Sequence, residues 1–505
     1  MTERSRARPG RAPSLLGEGF LVGVATSGYQ VEGGYNGQSQ PANNWAGWER
    51  TGRIERSGVA CDFWDHPEEM LDRAAAIGCN TFRLSVEWAR LEPGPGAFDE
   101  RALERYVEIL ARCAERGLSP MVTLHHFTHP WWLGEEFWLR PGSPDRFARH
   151  VERILPALAP HCRRWVTINE PNIVMLMGWV EGTHPPGRKL AFADAYCVLD
   201  NLLTAHVLVA DAISAVQPDA EVTMNTSSSS VYEHDRMLTD LVLLRGQGIE
   251  AGEVDRYVDE RRALHNAAFP PQHAGEALIR TFFAAVSPYG SNREAGGGPL
   301  WSTVRDLTRR RVPRRVTAAV HAAARPCPLD AVGFDWYDPV ASHALRVPGR
   351  RRGDRTRDWS TGRAIWDLPA DPRALGAWCR AEAAIHAGLP LWLVENGMSS
   401  QVSDGVSIRR EDGDDRPTYL RRHLASVVGA VESGVPVHAY LHWSLCDNYE
   451  WGTFRPRFGI FGMEWSPGAD KVRWMDTDAQ GDDAPGAFAR LVRGLTTGDR
   501  SVLEP

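Results

Sequence analysis

Two short acidic motifs stand out in this chain: Thr167-Ile168-Asn169-Glu170-Pro171 and, far downstream, Val394-Glu395-Asn396-Gly397. Each closes an apolar run that reads as a buried strand, so each sets a carboxyl group at a strand end. Two carboxyl groups so placed are the minimum machinery for breaking a glycosidic bond. One protonates the leaving oxygen, while the other, ionised, attacks the anomeric carbon or positions a water against it. A lone strand-end glutamate is as readily a solvated loop acid. Two of them, each beside an asparagine, weaken that reading.

The elements that must hold these acids follow from the alternation of apolar runs with helical stretches, the pattern a parallel α/β architecture leaves in sequence. Eight strands are predicted: Phe20 to Ala25, Thr81 to Val86, Met121 to His125, Trp165 to Asn169, Glu221 to Asn225, Ala331 to Trp336, Leu391 to Glu395 and Val437 to Trp443. Helices are predicted over Pro67 to Ile77 and Arg101 to Arg116, where apolar residues recur at helical spacing. The expected fold is α/β, a single (β/α)8 TIM barrel with long loops over its C-terminal face, where barrel enzymes keep their chemistry. The predicted division is a flexible arm over 1–14, the barrel over 15–495 and a tail over 496–505. Two stretches interrupt the alternation, His234 to Pro328 and the basic run Arg346 to Arg357, and both read as long loops above the barrel.

Composition sets the outer bounds. With 505 residues, 43% hydrophobic, 24% charged and a net charge of −7, the chain reads as globular, without a basic surface for nucleic acid. The eight cysteines include no C-x-x-C pair and read as free buried thiols. No signal peptide or membrane span is visible, which predicts a cytoplasmic protein. His125, His126 and His129 invite a metal reading, but adjacent strand residues point to opposite faces and do not readily share an ion. No metal and no organic cofactor are expected. Oligomeric state is not readable.

The motifs together resemble those of the glycoside hydrolase family 1 β-glycosidases, which are retaining (β/α)8 enzymes. The resemblance starts at Phe20-Leu21-Val22-Gly23-Val24-Ala25-Thr26-Ser27-Gly28-Tyr29-Gln30-Val31-Glu32-Gly33 and continues through Phe82-Arg83-Leu84-Ser85-Val86-Glu87-Trp88 and Thr123-Leu124-His125-His126-Phe127. It then takes in both acidic motifs, Trp443-Ser444-Leu445-Cys446-Asp447-Asn448-Tyr449-Glu450-Trp451 and Arg457-Phe458-Gly459. What the resemblance implies is a glycoside substrate, Glu170 as acid/base and Glu395 as nucleophile, with Arg83 and Tyr337 beside Glu395 to keep it ionised. By the same matching, Gln30, His126, Asn169 and Glu450 hold the sugar hydroxyls, Trp443 is the stacking platform and Trp451 adds an indole N–H. Thioglucosidases of the family carry Gln at the Glu170 position, so this chain is similar to the O-glycosidases. An acidic Glu450 would repel a phosphate, which disfavours 6-phospho-sugars.

The chain departs from the family pattern in three places. Asp335-Trp336-Tyr337 stands where the family has Asn-Tyr-Tyr, which brings a third carboxyl group near the predicted nucleophile. Like charges at close range push at least one pKa up, so Asp335 must be paired with an Arg, be protonated, or meet a cationic substrate group. Val22 replaces a usual Trp, and the segment Gly452-Thr453-Phe454-Arg455-Pro456 is one residue short, leaving glucose, galactose, fucose and modified glycones open. Two rival readings remain: a transglycosidase on the same site, favoured by aromatic loops that exclude water, and a catalytically silent sugar-binding barrel.

Overall fold

Each of the eight predicted runs forms a strand in the computed structural model, which describes residues 14–35, 40–271, 274–291, 306, 308–337, 370–386, 388–403, 405–410 and 412–505. The strands are β1 (Leu21–Ala25), β2 (Thr81–Ser85), β3 (Ser119–Thr123), β4 (Arg164–Asn169), β5 (Glu221–Ser227), β6 (Val332–Trp336), β7 (Leu391–Asn396) and β8 (Val437–Trp443). They pair in parallel in chain order, and β8 closes on β1, so the sheet is a closed eight-stranded barrel. The third strand ends earlier than predicted, at Thr123. His125 and His126 therefore lie in the loop beyond it, and strand alternation does not govern where their rings point.

Two apolar layers follow from the strand period of two. One face of the strands packs outward under the helices. The helix Glu100–Glu115 shows how: Asp99 caps it by accepting from the Arg101 and Ala102 amides at 3.0 and 3.1 Å, and Leu103, Tyr106, Ile109, Leu110 and Cys113 form its buried face. Val22 belongs to this outer layer, so its departure from the family pattern is a matter of packing. The opposite faces fill the barrel interior with a smaller cluster that includes Met121, Val166, Ala331, Val394, Leu441 and Trp443.

The stretch His234 to Pro328 is not the long loop that was predicted. It holds the helices Arg236–Val242, Val254–Ala268, Ala274–Val286 and Arg315–Ala322, whose apolar residues, Met237, Leu238, Val258 and Val316 among them, join the outer core. The glycines at 296–298 within that stretch, the basic run at 346–357 and the arm up to residue 13 lie outside the described residues. Two small antiparallel sheets escaped prediction: Pro456–Arg457 with Ser400–Ser403 and Val406–Ile408, and Met463–Trp465 with Val472–Trp474. One helix, Phe192–Val216, is long and apolar enough to cross a membrane, but 78% of its apolar window is buried inside this fold. It packs as a core helix.

Candidate active site

Arg83 lies within the barrel, on β2, fully buried, and its guanidinium reaches three other strands. Nε donates to Thr123 Oγ1 on β3 at 2.9 Å, Nη2 to Asn169 Oδ1 on β4 at 2.6 Å, and Nη1 to Glu395 Oε1 on β7 at 2.6 Å. Tyr337, just past β6, donates its hydroxyl to the other Glu395 oxygen at 2.5 Å. Glu395 is thus gripped on both oxygens, by a cation and by a phenol. Burial raises its carboxyl above the usual range, and these two groups act in the opposite direction.

Glu170 has no such partners. Its carboxyl takes a long bond from Asn169 Nδ2, at 3.4 Å, and meets Ser227 and Asp335. Burial first, then the charge of Glu395, push its proton affinity up, and the contacts with Ser227 and Asp335 and then the charge of Arg83 offset this in part. The two acids therefore sit in opposed surroundings, one held by a cation and one made to keep its proton. Glu170 also follows β4 in the left-handed backbone region, at φ 41°, immediately before the helix Pro171–Met175. Phe127 (φ 65°) and Trp451 (φ 41°) share that unfavourable conformation at the same site. Non-glycine residues held there by their surroundings cluster at functional sites.

The remaining predicted residues assemble around these two. Gln30 Nε2 donates to Asn448 Oδ1 at 3.0 Å and to Glu450 Oε2 at 3.2 Å, and the Trp443 indole also bonds Glu450. Burial raises the Glu450 carboxyl to about 8, with Glu395 adding to the effect. His126 Nε2 meets Asn169 Nδ2 at 3.2 Å, and its ring stacks with those of Trp443 and Trp451, with centroids at 5.8 and 5.7 Å. Burial and the nearby Arg83 hold that imidazole neutral. Gln30 Oε1 and His126 Nδ1 are buried without a protein partner, as suits groups that bind hydroxyls. His125 faces away, accepting from Trp138 Nε1 at 3.1 Å, and His129 bonds the Gly134 carbonyl. Among the described residues no cluster of three or more His, Cys, Asp or Glu is arranged to hold a metal ion.

Trp451, expected to add an indole N–H, lies beside His126 among other rings. It is half-buried in an aromatic group, 4.8 Å from Trp45, 4.7 Å from Phe127 and 6.2 Å from His184 between ring centroids. Asp335 is not paired with an Arg: Asn225 Nδ2 donates to its Oδ2, and no ion pair reaches it among the described residues. As an anion it would raise Glu395 and not support it. Asn225 also donates to Asn169 Oδ1 at 2.8 Å, which ties β4, β5 and β6 together. Sequence reasoning missed Asn225, although it closes a predicted strand as Asn169 does. It also missed Trp45, on the short helix Asn44–Arg50, and His184, from a loop, neither of them marked by a periodic signal.

The glycine of the second acidic motif has a steric reason. A methyl group on Gly397 would overlap the Trp443 carbonyl, so only glycine lets the end of β7 pass the end of β8.

A family model described as glycosyl hydrolase family 1 matches residues 13–247 and 346–477. The chain is 25% identical over 475 residues to a 6-phospho-beta-galactosidase of Clostridium acetobutylicum, covering 89% of this chain and 93% of that protein. It is 27% identical over 481 residues to a bifunctional beta-D-glucosidase/beta-D-fucosidase of Bifidobacterium breve, covering 89% and 94%. Among solved structures, a beta-glycosidase from Pyrococcus horikoshii shares the fold at a TM-score of 0.62 and 23% identity, with 96% of each chain covered.

Proposed function

The chain belongs to glycosyl hydrolase family 1, and from that premise we propose that it cleaves β-O-linked glycosides of neutral sugars with net retention, through a covalent glycosyl-enzyme intermediate. Glu395 attacks the anomeric carbon as Glu170 gives its proton to the leaving oxygen, and the aglycone departs as an alcohol. Glu170, now ionised, takes a proton from water, which attacks the anomeric carbon on the face the aglycone left and displaces Glu395 on the opposite face. The net configuration is unchanged because two inversions have occurred.

The observation that carries this reading is the asymmetry of the two acids. Arg83 and Tyr337 bond both oxygens of Glu395, whereas Glu170 is buried with no cation bonded to it among the described residues. A nucleophile must be ionised and an acid protonated at the same pH, and these surroundings favour that division. Gln30, His126, Asn169 and Glu450 take the sugar hydroxyls, and Trp443 takes the apolar face of the ring. Eight cysteines without a disulfide support a reducing compartment, the cytoplasm, as the place of work.

A panel of chromogenic β-glycosides, followed by proton NMR of the first sugar released, tests the reading. Release of the β-anomer ahead of mutarotation is expected. An α-anomer appearing first would overturn retention, and no turnover of any β-glycoside by folded protein would overturn the activity.

A further inference from the structure

A third carboxyl group belongs to the site. Asp335, on β6, has no exposed surface. The β6–β7 pairing slips by one residue between Phe334 and Asp335, and this slip sets Asp335 directly opposite Glu395. Its Oδ2 accepts from Asn225, its Oδ1 is buried with no donor, and its carboxyl group lies within hydrogen-bonding reach of Glu170. Two carboxylates at that distance are acceptor against acceptor, a contact that only a proton turns into a bond.

The groups that face the pair are few. Glu395 comes from β7, Arg83 from β2, Tyr337 from the end of β6 and Ser227 from the end of β5, with the Asn225 and Asn169 amides from β5 and β4. Of these only Arg83 is a cation, and its Nη1 is already bonded to Glu395. Three ionised acids against one guanidinium would leave a double negative charge in a buried space, at a cost of several kcal/mol for each unpaired ion.

We propose that Glu170 and Asp335 form an acid–carboxylate pair holding one proton between them, so that Asp335 is a positioning residue for the proton that Glu170 delivers. The inference rests on the reading of Glu170 as acid/base. It keeps the charge of the site constant through turnover. At rest Glu395 is ionised and the pair carries one negative charge, so with Arg83 the sum is −1. After glycosyl transfer Glu395 is a neutral ester, the proton has left with the alcohol, and both members of the pair are ionised beside Arg83, again −1. The charge that departs with the ester is what allows the second ionisation, and water then returns a proton to the pair. An asparagine in place of Asp335 would instead donate its amide to Glu170 and favour the ionised form.

The test compares the dependence of kcat/KM on pH for the wild type and Asp335→Asn, using an aryl β-glycoside that the wild type cleaves. The alkaline limb of the variant should lie about 1–2 pH units lower. Coincident alkaline limbs, or an equal loss at every pH, would overturn the proposal, since a merely structural aspartate moves neither limb. A second measurement needs no Asp335 variant. Infrared titration of the wild type from about pH 6 to about pH 9 should contain a protonated-carboxyl band that Glu170→Gln removes, and identical band loss in both proteins would overturn the pair. Should the wild type cleave no β-glycoside, the reading of the site fails, while the infrared result still decides the shared proton.

Discussion

Arg83 Nη1 and Glu395 Oε1 lie 2.6 Å apart, with neither side chain more than 4% exposed. A pair buried so completely stabilises little in net terms, because desolvation cancels most of the attraction, but breaking it strands a charge. Arg83→Met should therefore cost about 3–5 kcal/mol of stability. The sign of its pH dependence follows from the partner left behind. An unpaired Glu395 has its folded-state pKa raised further, so the deficit is largest where the carboxyl is ionised and shrinks as pH falls through that pKa. Thermal melts of both proteins between about pH 5 and about pH 8 measure this. A deficit independent of pH would mean that the guanidinium matters only for packing.

Tyr337 acts on the same carboxylate without carrying charge. Its bond to Glu395 holds the carboxyl down against the upward push of burial. Tyr337→Phe should move the acid limb of kcat/KM to higher pH by about one unit, since hydrogen bonds to charged groups contribute about 1.5–3 kcal/mol and one pKa unit is about 1.4. The alkaline limb should stay in place. A pH–rate profile distinguishes the two limbs.

Glu170→Gln keeps the shape of the side chain and removes its proton. Alkyl glycosides, whose alkoxide leaving groups need protonation, should lose a factor of about 10²–10⁴ in kcat/KM, the usual range for one general acid. Dinitrophenyl glycosides, whose phenolate departs unaided, should lose far less in the first step. Comparison of the two substrate classes reads this directly, and equal losses would exclude Glu170 as the proton donor.

Glu450 links the site to alkaline stability. Its carboxyl is raised to about 8 by burial, so between the ordinary carboxylate range and that value the folded protein binds a proton that the unfolded chain has lost. Stability must fall as pH rises through this window, by at most about 1.4 kcal/mol per pH unit. Glu450 keeps some exposure, so the observed slope should be a fraction of that. Glu450→Gln removes the slope, and its melting temperature should gain on the wild type from about pH 5 to about pH 8.

The parts legible beforehand were those with a repeating physical signal. All eight strands lie on predicted apolar runs; Asn169 ends β4, Glu170 follows it and Glu395 lies one residue from the end of β7, while Arg83 sits in the middle of β2. Asn225 carries the same signature, and its bonds to Asn169 and Asp335 make it part of the same site. The partner of Asp335 was not legible, because it depends on a one-residue slip between Phe334 and Asp335 that no hydrophobic pattern encodes. The helices after His234 were hidden because their apolar faces are short and split by charged residues such as Arg261 and Arg262, which are themselves tied into buried ion pairs with Asp240 and Glu233. His184 reaches Trp451 from a loop and Trp45 from the short helix Asn44–Arg50, and only the folded chain brings them together.

The sugar that this site accepts should be neutral, and the reason differs from the repulsion expected of an acidic Glu450. In the folded protein that carboxyl is held protonated near neutral pH, so it does not repel. What disfavours a 6-phosphate is that no counter-charge acts on Glu450 among the described residues. A phosphate monoester carries about −1.5 to −2 at pH 7 and needs cations or several donors when buried. The groups acting on Glu450 are Trp443, Gln30 and Glu395, none of them a cation. Although a 6-phospho-beta-galactosidase is among the similar proteins, aryl 6-phospho-β-glycosides should be cleaved at least about 100-fold less efficiently than the neutral glycosides, a difference of about 2.7 kcal/mol. Glu450→Gln should not restore them, because it removes a carboxyl group without supplying a cation. Parallel kcat/KM measurements on both substrate classes, with wild type and variant, decide the matter. Equal turnover would require a basic group from outside the described residues to reach the sugar.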